Sequence, residues 1–147
     1  PTGLALTTGA IATLFVQWGL FPLMKPRPGT AILCGGLIVA AGAAILMGAS
    51  SLYGIAAGFG LTSIGIGFVR PGFVSGSSIA VGEQEQDSVA GKVASVNGLA
   101  WIFAPALGVA IYGGHATIFF SIVIALGLFV SLWAWLRLSH DPASVAE

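Results

Sequence analysis

Charge is what this sequence has least of. Lys and Arg together number five and Asp and Glu five, 7% of 147 residues, with a formal net charge of zero. So neutral a chain gives no electrostatic case for nucleic acid or for an acidic ligand, and its few charges inform only through position. Cysteine is almost absent too. Cys34 stands alone inside an apolar run, which excludes a disulfide within the chain and suits a small packed hydrophobe. The two histidines, His115 and His140, have no cysteine or acidic cluster around them, so no metal site is expected. No cofactor is expected either. There is no H-E-x-x-H; GFVSG puts Gly72 three residues before Ser75 rather than in the G-x-S-G of an intramembrane serine protease; and GIGFVR and GFGLTS lack the third glycine and preceding strand of a nucleotide fold. The sequence therefore offers no enzyme chemistry.

What it has instead is apolar length. Hydrophobic residues make up 56% and glycine supplies 22 positions, with a mean hydropathy of +1.00. This composition predicts an all-α integral membrane protein embedded in a lipid bilayer. About 20 apolar residues are needed to cross the hydrocarbon core, and the chain offers them five times: 4–21, 31–49, 52–80, 93–112 and 117–136. The connections are brief. Pro22 to Thr30 holds three prolines, Ser50-Ser51 and Gly113-Gly114-His115 are turn formers, and VGEQEQDS is polar. In that polar run Asp87 or Ser88 is the expected N-cap of the next helix, with Glu83, Asp87 and Lys92 as candidate loop charges.

Orientation follows from the basic residues. Lys25 and Arg27 lie in the first connection, Lys92 in the third and Arg137 after the last span, while the second and fourth connections carry no lysine or arginine. The positive-inside rule makes that face cytoplasmic, with the tail 137–147 inside. The opening Pro1, without initiator methionine or leader pattern, and the odd number of spans predict that the chain is part of a longer polypeptide.

Polar residues are shared unevenly among the spans. The second carries only Cys34 and the fifth only Ser121 and Ser131, so both are expected at the periphery. The first carries Thr13 and Gln17, the third Thr62 and Arg70, and the fourth Asn97 with Trp101 one turn on. Unpaired polar groups are expensive in lipid, so these helices are expected to face one another or water. Gly54/Gly58, Gly72/Gly76 and Ala104/Gly108 have the small-x-x-x-small spacing of close helix packing. Arg70 is the sharpest feature. It lies roughly 27 Å along its helix from Leu52, in the inner half of the membrane, and an arginine at the centre of a span costs about 2.5–3.5 kcal/mol on insertion scales. No Asp or Glu lies in any span to offset it. Pro71 and Pro105 each free a carbonyl one turn back and are candidate helix breaks.

Three segments resemble the C-terminal half of a major facilitator superfamily transporter, from its eighth to its twelfth helix. Gly19, Lys25, Arg27 and Gly29 look like a worn copy of the family's G-x-x-x-D-R-x-G-R-R loop, with Leu23 about where its aspartate stands. GLTSIGIGFVRPGF followed by GEQEQDSVAGKVASVNG is similar to the tenth helix and the loop into the eleventh. WIFAPALGVAIY resembles the second-half counterpart of the antiporter motif G-P-x-x-G-G, with Pro105 and Gly108 in place and Ala104 and Val109 replacing glycines. The resemblance implies a partial helix bundle whose missing N-terminal half supplies the coupling carboxylates, and proton-coupled efflux of small amphipathic compounds of the drug or tetracycline type by alternating access. It also implies a multi-pass protein of the cell (inner) membrane. On this reading Arg70, Gln17, Thr13, Thr62, Asn97 and Trp101 are candidate cavity residues, and Pro71, Pro105 and Gly108 candidate gating positions. The alternative from the residues alone is a small multi-span subunit that acts through its glycine-rich packing faces.

Overall fold

The computed structural model describes residues 2–79, 81–82 and 85–138. Glu83, Ala80 at the expected end of the third span, His140 and most of the C-terminal tail lie outside them. Every regular element among the described residues is helical: α1 (Thr2–Leu14), a π-helical stretch (Phe15–Leu20), α2 (Phe21–Met24), α3 (Pro28–Gly48), α4 (Leu52–Ile79), α5 (Gln86–Gly114) and α6 (Ala116–Leu138). Five helical stretches among the described residues are long and apolar enough to cross a membrane, Leu6–Met24 and the four long helices α3 to α6.

Local sequence explains the breaks. The first stretch runs three residues past its expected end at Phe21. Pro22 has no N–H to give, and the ladder just before it is re-spaced so that the Phe21 N–H donates to Val16 O, five residues back. Lys25 then closes the helix in the left-handed region at φ 41°, its N–H donating to Phe21 O at 3.0 Å. Pro28 holds Arg27 extended (φ −58°, ψ 143°) and itself opens α3, where a missing N–H costs nothing. At the next turn Ser51 caps α4, its Oγ accepting from Gly54 N at 3.1 Å. Helix α5 starts at Gln86, earlier than either expected cap, so Asp87 sits in its first turn and Glu85 takes the cap position without a side-chain bond. A carboxylate in the first turn still suits the positive end of the helix dipole.

Packing is organised by glycines, not by polar residues. Helices α3 and α4 run antiparallel in close contact. A Cβ built on Gly35 would meet Gly65 O, one on Gly65 would meet Gly35 O, one on Gly42 would meet Gly58 O, and Gly72 faces Ala31 and Pro28. On α4 the glycines at 58, 65 and 72 recur every seven residues, opposite 42 and 35 on α3, so one seam of bare backbone runs along both helices. A seven-residue period is what keeps a seam facing its partner in a left-handed crossing. On its other side α3 meets α6 at Gly36 and Gly127. There the buried Ser131 hydroxyl lies 3.0 Å from Leu33 O across the interface and 2.9 Å from Gly127 O in its own helix. Helix α1 lies parallel to α4, with Gly9 against Phe59 and Ser63, and Val16 against Gly67.

The second span is therefore not peripheral. Helix α3 is wedged between α4 and α6, and its residues Ala31, Gly35, Gly36, Ala40 and Ala43 are buried. The expectation failed because it ranked helices by polarity, whereas small residues decide how closely two backbones approach in an apolar setting. Helix α5 is the reverse case: it has no buried residue. Its firmest attachment is an aromatic cluster at the turn into α6, where Tyr112 meets Phe119 and Phe120 edge-on at 5.8 and 5.9 Å.

Candidate functional site

The site is built around α4. Gly65 and Gly67 are buried against α3 and α1, which fixes the helix on two sides and leaves Arg70, one turn later, on the exposed remainder. Pro71 follows inside an unbroken helix. Having no N–H, it leaves Gly67 O without its usual donor. Among the described residues no hydrogen bond or ion pair holds the Arg70 guanidinium.

Arg70 borders two concavities. One, of about 340 Å³, is shared with Gln17, Trp18, Pro71 and Val74. The other, of about 430 Å³, is lined by Asn97 and Trp101 from α5, by Ile66 and Val69 from α4, and by residues of α3 and α6 including Val39 and Leu126. Three sequence candidates from two other spans are thus brought beside Arg70: Gln17 on one side, Asn97 and Trp101 on the other. Gln17 lies within the π-helical stretch, a distortion that often accompanies functional positions because it turns side chains off the regular helical register.

Thr13 and Thr62 are placed elsewhere. Thr13 Oγ1 lies 2.9 Å from Gly9 O and 3.3 Å from Ser63 O, so its hydroxyl ties α1 to α4. Thr62 donates to Gly58 O at 2.9 Å and faces Gly42 of α3, inside the glycine seam. Neither lines the two concavities around Arg70. Pro105 and Gly108 lie in the C-terminal half of α5. Pro105 is exposed, and Gly108 has only Phe119 near the place of a side chain, at 3.5 Å.

The loop charges gather at one end. Since α3 opposes α4 and α6, and α1 parallels α4, the end of the first stretch, the start of α3, the start of α5 and the end of α6 share one side of the bundle. Lys25, Arg27, Asp87, Lys92 and Arg137 are all exposed there, Arg137 in the last turn of α6, where a cation suits the helix dipole. Among the described residues no group of three or more His, Cys, Asp or Glu comes together as a metal site.

Comparison with protein-family models, with curated proteins and with solved structures finds no match to this chain.

Sequence reasoning missed two parts of that site. The π-helical stretch has no residue code beyond Pro22 following it. The apolar wall of the larger groove, with Val39, Val123, Leu126 and Val130, was out of reach because it belongs to the two spans with least polarity; the seven-residue glycine period on α4 was the available signal that α3 is central.

Proposed function

We propose that this chain is part of a secondary active transporter of the major facilitator type, corresponding to its eighth to twelfth helices. It works as a proton-coupled exporter of small amphipathic compounds in the cell (inner) membrane, with its C-terminus cytoplasmic. The observation that carries the reading is the convergence on Arg70 of Gln17 and of Asn97 with Trp101, from three helices of which one, α5, buries nothing within the chain. A charged residue at membrane depth is a functional position by default. A second half packed against α1, α4 and α5 would close the space around it and supply the carboxylates that the described residues around Arg70 do not, with the substrate held between halves near the midplane. The gathering of basic residues at one end of the bundle supports a cytoplasmic position for that end.

The test is substrate-induced proton movement. The native polypeptide is reconstituted in liposomes with a trapped pH-sensitive dye and an imposed proton gradient, and amphipathic anions, cations and neutral compounds are added in turn. At least one class is expected to release protons in a manner abolished by a protonophore. No compound-dependent proton movement, together with no movement of any compound, would remove the transport reading.

A further inference from the structure

We propose that the larger groove beside Arg70 selects amphiphiles with a single apolar tail and an anionic head, the head on Arg70 and Asn97 and the tail along Val39, Val69, Leu126 and Val130. This deepens the transport reading, which leaves the sign of the substrate open, and it rests on that reading only for the purpose the binding serves.

The sign follows from what lines the groove. Among the described residues Arg70 is its one charged side chain and Asn97 its one side-chain amide. A guanidinium is ionised under all ordinary conditions and presents a planar fork of donors that matches carboxylate, sulfonate and phosphate oxygens. Among the described residues no aspartate or glutamate lines the groove, and the one carboxylate of the five spanning stretches, Asp87, is exposed in the first turn of α5, so nothing in the groove receives a cationic head, and Arg70 repels one. An anion arriving there gains charge-assisted hydrogen bonds in an apolar setting, where they are stronger than in water. Asn97 adds N–H donors beside them.

The tail follows from the remaining walls. Branched aliphatic residues of α3, α4 and α6 and the bare backbone at Gly36 and Gly127 form a trough that carries no other charge. Its volume of about 430 Å³ lies in the lower part of the range of small-molecule sites, ~300–1,000 Å³. That suits one tail rather than the two of a phospholipid. Trp101, 69% exposed, offers an aromatic face at the mouth.

The experiment measures equilibrium binding of radiolabelled dodecane-1-sulfonate, a permanent anion, to the native polypeptide in nanodiscs of zwitterionic lipid, with empty discs as background. Saturable binding is expected, unaffected by dodecyltrimethylammonium or dodecanol at matched concentration. Arg70→Gln should weaken it by about tenfold or more, the loss of a hydrogen bond to a charged group, and Arg70→Lys by less. Leu126→Trp, which fills the trough from the opposite wall and keeps the charge, should weaken it as well and covers the case in which Arg70→Gln does not fold. Equal displacement by the cation, non-saturable uptake, or unchanged binding in both Arg70→Gln and Leu126→Trp would overturn the proposal. Displacement of the probe by anionic phospholipid doped into the discs would also overturn it, by making the occupant a lipid headgroup. Arg70-dependent binding without movement of protons or of any compound in liposomes would leave this inference standing and remove the transport reading; proton movement driven by cations alone, without sulfonate binding, would do the opposite.

Discussion

Gly65→Leu is expected to leave little folded bundle, and Gly65→Ala to destabilise it by about 1–3 kcal/mol, the usual cost of overpacking a tight interface. A Cβ at this position would stand 2.6 Å from Gly35 O and 2.7 Å from both the Val39 N and its Cγ2. Two of those three atoms are helix backbone and cannot rotate aside. Helix α3 would have to retreat from α4, and because one rigid seam joins them, the approach of Gly42 to Gly58 would open along with it. The matched control is Gly48→Ala, where nothing lies within 4 Å of the added methyl. Thermal unfolding of the purified protein, followed by circular dichroism, separates the cases: Gly48→Ala should melt with the native protein, and Gly65→Leu should show no cooperative transition. Indistinguishable melting of all three would mean that α3 and α4 do not pack as described.

That seam also shows where sequence reasoning reached and where it stopped. Span number and approximate limits were legible, because apolar length and proline-rich or polar connections are local properties. Limits slipped where a helix tolerated an apparent stop: the first stretch passes Pro22 by way of π-type bonding, and α5 runs back to Gln86 through residues that read as loop. Neighbour relations were not legible from polarity. Thr62 belongs to the same α4 stripe as Ile66 and Arg70 in sequence, yet it packs on Gly42 while Ile66 and Arg70 line the groove, because the seam cuts between them. Arg70 itself was legible, since a permanent charge among apolar residues has few explanations. Of the residues grouped with it on polarity, Gln17 and Asn97, with Trp101, border the same concavities, whereas Thr13 and Thr62 pack elsewhere.

Arg70→Ala is expected to reduce compound-dependent proton movement to background while leaving the protein inserted and folded. The two halves of this prediction have separate grounds. Folding should survive because Arg70 is exposed and among the described residues makes no hydrogen bond or ion pair whose loss would strand a partner. On the transport reading, which puts Arg70 at membrane depth, removing its charge also lowers the insertion cost, by an amount on the order of 2.5–3.5 kcal/mol. Transport should fail because, among the described residues, Arg70 is the only charge on either concavity, and a transporter without it loses the strong electrostatic contact offered there. Arg70→Lys should retain a fraction of the activity, since it keeps the charge and loses the planar fork. Native flux in a well-folded Arg70→Ala protein would reduce Arg70 to a tolerated charge. Loss of the folded protein would make it structural.

The claim that these five helices form one side of a two-halved carrier is tested most directly by the intact mass and N-terminal sequence of the native polypeptide. The account predicts a chain about two to three times this length, with six or seven further spans before Pro1 and carboxylates within them. A mature chain that begins at Pro1 would contradict it: five helices would then function as they stand, and the counter-charge for Arg70 would have to come from a separate partner.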